Sequence, residues 1–226
     1  MGLYLYCLVP PGTAPPPALA GVEHAPVEAR PAGRLTCWVS PMAAAPEATL
    51  DRISQHNAVV EAALASGSTP VPLRWGQWLA SDAALAGALA ERQDAYLDAL
   101  QRLAGAAEFG VRVLDPARVP AVPAQPAGAG AGTAYMRDLL ARAAAERAVD
   151  ARGQEIAARV RAVLGAIIRQ ERIDALPSRH GVVSLAHLVD RREADAYRAG
   201  MERVRRERPE LRFLVTGPWP PYSFTA

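Results

Sequence analysis

The chain has 226 residues, half of them hydrophobic, enough to bury one large or two small cores. Its 25 basic residues are all arginine and face 23 acidic ones, a formal charge of +2 that is too small and too evenly spread to imply a nucleic-acid or membrane surface. No apolar run approaches the roughly 20 residues that a membrane span needs, so none is expected.

In chain order, "GLYLYCLV" alternates, is rich in aromatic and aliphatic residues, and stops at Pro10 and Pro11. It reads as a strand and not as a secretion signal, since it lacks a basic start. Cys7 and Cys37 lie in apolar runs without CxxC spacing, which fits small buried hydrophobes in a reducing compartment and a cytoplasmic protein. "GVEHAPVEA" and "RLTCWVS" read as two further strands, the second with Leu35, Cys37 and Val39 on one face and Trp38 on the other. From Pro46 to Ala65 a helix is expected, with Leu50, Ile53, Val60 and Leu64 near helical spacing and Pro46 and Glu47 in its first turn. "STPVPLRWGQW" is extended, but its two prolines exclude a regular central strand. A second helix runs from Ser81 and Asp82 to Gly105 with Leu85, Leu89, Tyr96, Leu100 and Leu103 as its stripe.

"EFGVRVL" alternates as a half-buried strand, and the Pro, Ala and Gly segment 115–133 is expected to be a mobile loop. The longest helical pattern covers 134–173, with Val149, Ile156, Val160, Val163 and Ile167 in step; Gly153 and Gly165 weaken it by about 1 kcal/mol each. "DALPSRHGVVSLAHLVD" reads as two strands around a turn, "READAYRAGMERVRRERP" as a helix stopped before Pro209, and "LRFLVTG" as a last strand. Strand, helix, strand, strand, helix, strand is the order of a ferredoxin-like sheet with both helices on one face. The expected fold is therefore α+β in two domains. The first covers 1–105, the ferredoxin-like one 106–216, and 217–226 forms a tail rich in proline and aromatics.

Chemistry is thin along this chain. His56 and Glu61 are five residues apart and so fall on different helix faces, which is not a metal-binding pattern; His56 reads as a surface or core-edge residue. "AGAGAGT" follows a proline-rich loop and not a strand, so it is no dinucleotide fingerprint. No catalytic cluster, metal site or cofactor is expected. The interest lies in two aromatic stretches. In "PLRWG", Arg74, Trp75 and Gly76 are candidate structural and interaction residues, with the Arg74 guanidinium expected to brace the connection through backbone or carboxylate hydrogen bonds. In the tail, Gly217 can turn the chain while Pro218, Pro220 and Pro221 restrict it. Trp219, Tyr222 and Phe224 offer large apolar surfaces, so the tail is expected to pack back on the protein near the domain junction, the alternative being a pre-extended polyproline ligand offered to a partner.

"VPLRWGQW" and "TGPWPPYSF", together with "LYLYCLV", "HNAVVEAAL" and "EFGVRV", resemble the gas vesicle protein family of the L and F type. The resemblance runs in order along nearly the whole chain. Where the family has a run close to PLRFGT, this chain carries Trp75 and Gln77. The resemblance implies a non-enzymatic accessory or minor structural protein that contacts the small hydrophobic shell protein and other gas vesicle accessory proteins and assists vesicle assembly. Two other classes compete. A small-molecule enzyme would use Arg74, His180 and nearby carboxylates in an inter-domain cleft, and an RNA-binding module would use the ferredoxin-like sheet, although the aromatic run of such modules is missing.

Overall fold

The opening apolar run forms β1 (Gly2–Val9), buried along its whole length because it lies between β3 (Leu35–Met42) and two short strands. The computed structural model describes residues 1–117, 151–174 and 181–225. The fold is α+β, with two antiparallel sheets, and the chain divides into two units: Met1–Glu108 with Pro218–Ala226, and Phe109–Gly217.

In the first unit the sheet runs β2 (Glu28–Ala32), β3, β1, β4 (Val71–Pro72), and β5 (Trp78–Leu79) also pairs with β1. The β1–β3 register slips between Leu5 and Cys7. A one-residue slip swaps the two faces of a strand, so Tyr4 before it, Tyr6 at it and Cys7 and Val9 after it reach one core cluster. That cluster also takes Trp38 from β3 and Val59, Val60 and Ala63 from α1 (Leu50–Ala65). The "GVEHAPVEA" stretch is a single turn at Val22–His24 followed by β2, not one strand.

The boundary of α1 departs from the sequence expectation. Thr49 caps the helix by accepting from the Arg52 N–H at 3.2 Å, so Pro46 and Glu47 lie before the helix and Leu50, 87% exposed, stands off its buried face. The expected helix 81–105 is two. Ser81 caps α2 (Asp82–Ala90), the chain breaks at Glu91 and Arg92, and α3 (Gln93–Leu103) follows.

The second unit holds most of β6 (Ala106–Leu114) and β9 (Arg212–Trp219), with α4 (151–164 as described), β7 (Ile168–Asp174), β8 (Gly181–Asp190) and α5 (Ala194–Glu207) between them. The sheet order is β7-β8-β6-β9. Ile156, Val160 and Leu164 of α4 and Tyr197, Met201 and Val204 of α5 share one core with Phe109, Val111, Leu185 and Phe213 of the strands. The expected helix 134–173 is corrected at its C-terminal end: α4 stops at 164, and Ile168–Asp174 pairs with β8. Gly165 closes the helix, its N–H reaching the Arg161 carbonyl at 2.8 Å. Residues 118–133 of the expected loop, 134–150 of the expected helix and the turn at 175–180 lie outside the described residues.

Candidate interaction site

Between β4 and β5 the chain bulges away from the edge of β1, and the bulge carries Arg74, Trp75 and Gly76. Hydrogen bonds pin its two ends to β1, from Leu73 N to the Tyr6 carbonyl at 2.9 Å and from Leu5 N to the Gln77 carbonyl at 2.9 Å. Gly76 has φ +86°, a conformation that an L side chain rarely adopts, which is why a glycine stands there. Beneath the bulge, His56 is 2% exposed and not a surface residue. Its Nε2 donates to the Leu73 carbonyl at 3.2 Å, which leaves Nδ1 to accept from the Tyr4 hydroxyl at 2.9 Å. The Tyr4 oxygen in turn receives the Gly76 N–H at a long 3.5 Å. Burial holds the imidazole at about 4, well below the usual histidine range, so it is neutral near pH 7 and keeps this tautomer. The Trp75 ring packs 5.5 Å from Tyr4 and 5.8 Å from His56.

Arg74 does not brace the connection. Its side chain is exposed, and among the described residues its guanidinium reaches neither a backbone oxygen nor a carboxylate. The histidine of α1 does the bracing instead. His56 comes three residues after Ile53 and four before Val60, so helical spacing alone could have placed it on the buried stripe.

The tail residues from Pro218 belong to the first unit, and Gly217, with φ +109°, ends the second. Pro220, Pro221 and Phe224 are buried, whereas Trp219 and Tyr222 are 42% and 40% exposed. Ser223 donates its N–H and hydroxyl to the two Glu108 carboxylate oxygens at 2.8 and 2.7 Å, and Arg102 donates to the Phe224 carbonyl at 3.0 Å. The Tyr222 hydroxyl donates to Asn57 Oδ1 at 3.0 Å. Partial burial, joined by the negative charge of nearby Glu61, pushes the Tyr222 phenol above its ordinary range. Asn57, Glu108, Arg102 and Ser223 gave no signal in the sequence, because each matters only through a partner distant along the chain.

The second unit buries a separate polar chain. His187 on β8 accepts from the Tyr197 hydroxyl at 2.6 Å and donates to Glu171 at 3.2 Å, and Glu171 pairs with Arg161 at 3.0 Å. Among the described residues of this unit no buried side-chain nitrogen or oxygen lacks a hydrogen-bond partner, and neither His187 nor Tyr197 reaches solvent, so the chain ties α4, β7, β8 and α5 together. Cys7 and Cys37 are free, buried thiols that burial pushes upward, away from the reactive thiolate. Among the described residues no three of His, Cys, Asp and Glu are grouped to hold a metal ion, and no helix is long and apolar enough to cross a membrane. His180 lies outside the described residues.

Known proteins resemble this chain in sequence and in fold. The family model described as gas vesicle synthesis protein GvpL/GvpF matches residues 2–226. Gas vesicle protein L of Streptomyces sp. (strain CB03234) is 32% identical over 187 residues, covering 77% of this chain and 68% of that protein. Gas vesicle protein F2 of Halobacterium salinarum is 27% identical over 181 residues, covering 79% and 70%. The crystal structure of gas vesicle protein GvpF from Microcystis aeruginosa superposes with a TM-score of 0.80 over 100% of this chain and 99% of that one, at 18% identity, a likeness of fold. A family match that begins in β1 and runs through the proline and aromatic tail places the chain in the GvpL/GvpF family of gas vesicle synthesis proteins.

Proposed function

We propose that this protein is a non-enzymatic accessory or minor structural component of gas vesicles that binds the small hydrophobic shell protein and assists assembly. It acts in the cytoplasm, associated with the vesicles. The family match over residues 2–226 carries the reading. Two observations support a binding role. Trp219 and Tyr222 remain part-exposed on a segment that neighbouring bonds hold in place, and Arg74 stands exposed on a braced bulge. Held aromatics and an available guanidinium are what recognition surfaces use.

The architecture fits the same reading. The order β7-β8-β6-β9, with α4 and α5 in one core, supports a ferredoxin-like second domain, and the bonds of Ser223 and Phe224 support a tail folded back on the first. The test is a pair of experiments. Removing the gene should abolish vesicles in a host that otherwise forms them, and the purified protein should retain shell protein carried on a soluble fusion partner. Vesicles of normal number and shape without the protein, or no retention of shell protein, would sink the proposal.

A further inference from the structure

We infer that the Arg74 bulge is a preformed receptor for a carboxylate, an Asp or Glu side chain of the shell protein, and that His56 and Tyr4 are the residues that position it. This rests on the functional reading above. The bulge of three residues is fastened at both ends, by Leu73 N to the Tyr6 carbonyl and by Leu5 N to the Gln77 carbonyl. A second set of bonds fastens it from below. His56 holds the Leu73 carbonyl, Tyr4 receives the Gly76 N–H, and Tyr4 and His56 are bonded to each other. The Trp75 ring packs against both at tilted and edge-on angles. A loop held this way has little backbone freedom left to lose when a partner binds.

What the clasp holds out is a guanidinium. In the same unit Arg30 is paired with Glu28 and Asp82, and Arg52 with Glu23, whereas the exposed Arg34 side chain, like that of Arg74, has no partner among the described residues; the fastened bulge is what sets Arg74 apart. Arg74 is exposed and, among the described residues, has no such partner. A guanidinium presents a rigid planar fork whose match is a carboxylate held by two parallel hydrogen bonds. Trp75, half-buried next to it, supplies an apolar flank, so the fitting segment places one carboxylate within apolar surroundings. A phosphate backbone would ask for several cations together, and this chain is near neutral.

The experiment measures the affinity of the full chain for shell protein on a soluble fusion partner. Arg74→Glu should weaken binding by about tenfold or more while leaving the melting temperature unchanged, since the side chain makes no contact that folding needs. Arg74→Lys should lose a smaller factor, because it keeps the charge and loses the fork. Tyr4→Phe removes only the hydroxyl that links His56 to Gly76. It should weaken binding several-fold in the wild-type chain and add nothing in Arg74→Glu, whereas a merely structural role would weaken both alike. An Asp or Glu to Arg change in the shell protein that restores binding to Arg74→Glu would identify the carboxylate. If wild-type protein binds and Arg74→Glu binds equally well, the inference is overturned and the functional reading stands. If wild-type protein does not bind shell protein at all, both fall.

Discussion

Phe224→Ala isolates what holds the C-terminal segment on the first unit. The Phe224 ring is 3% exposed, and burying a phenyl side chain is worth about 2–3 kcal/mol. The two hydrogen bonds of Ser223 to Glu108 and the one of Arg102 to the Phe224 carbonyl add about 3 kcal/mol together. Against these stands the ordering of Tyr222, Ser223, Phe224 and Thr225, at about 1 kcal/mol each. Pro220 and Pro221 are restricted before they dock and cost little. The balance favours docking by about 1–2 kcal/mol. That balance also limits the mutation. Once the ring is gone the segment releases, and the loss stops at the docking free energy, so Phe224→Ala should cost about 1–2 kcal/mol and not the 3–5 kcal/mol of an interior phenylalanine. In a unit of roughly a hundred residues this is a fall of about 5–10 °C in melting temperature, readable by scanning calorimetry. Deleting residues 220–226 should melt within about 2 °C of Phe224→Ala by the same argument. A substituted protein that melts like wild type, or a deletion that melts far below the substitution, would refute the reasoning.

Three further predictions concern the same frame. His56 and His187 are each held near 4 by burial against an ordinary value of 6.5, so the unfolded chain binds more protons than the native one between those values. Stability is therefore full above about pH 6.5 and falls as pH drops, by roughly 2 kcal/mol per histidine at pH 5, with the raised Glu171 partly opposing. A urea midpoint unchanged between pH 7.5 and pH 5 would show that neither imidazole is desolvated. Tyr6→Phe should cost about 1–3 kcal/mol in urea unfolding, because the Tyr6 hydroxyl receives the Val22 N–H at 2.8 Å and donates to Ser40, and its loss strands a buried donor. Gly76→Ala meets open space but must hold φ +86°, so it should lower stability by about 1 kcal/mol, and a gain in melting temperature would mean that the bulge is not held in that conformation.

Local patterns were enough for the elements that local physics decides. The alternation of "GLYLYCLV" and "RLTCWVS", the stripe of Ile53, Val60 and Leu64 in the helix expected from Pro46, and the resemblance carried by "PLRWG" and "TGPWPPYSF" are properties of neighbouring residues, and they pointed to an α+β member of the gas vesicle L and F family. The boundary near residue 165 was not legible in this way. Ile167 and Ile168 fit a helical stripe as well as a strand, and pairing with β8 decided the outcome.

The bulge and the tail belong wholly to tertiary structure. Arg74 in its sequence setting looks like a brace, but bracing needs an acceptor within reach, and folding put none beside it among the described residues. Instead α1 brings His56 beneath the bulge from 17 residues away from Leu73, to a tyrosine 52 residues away. Ser223 finds Glu108 across 115 positions. Hydrogen bonds of that reach leave no periodicity in a sequence. The residue types at each end are ordinary, and only the path of the chain between them makes them partners.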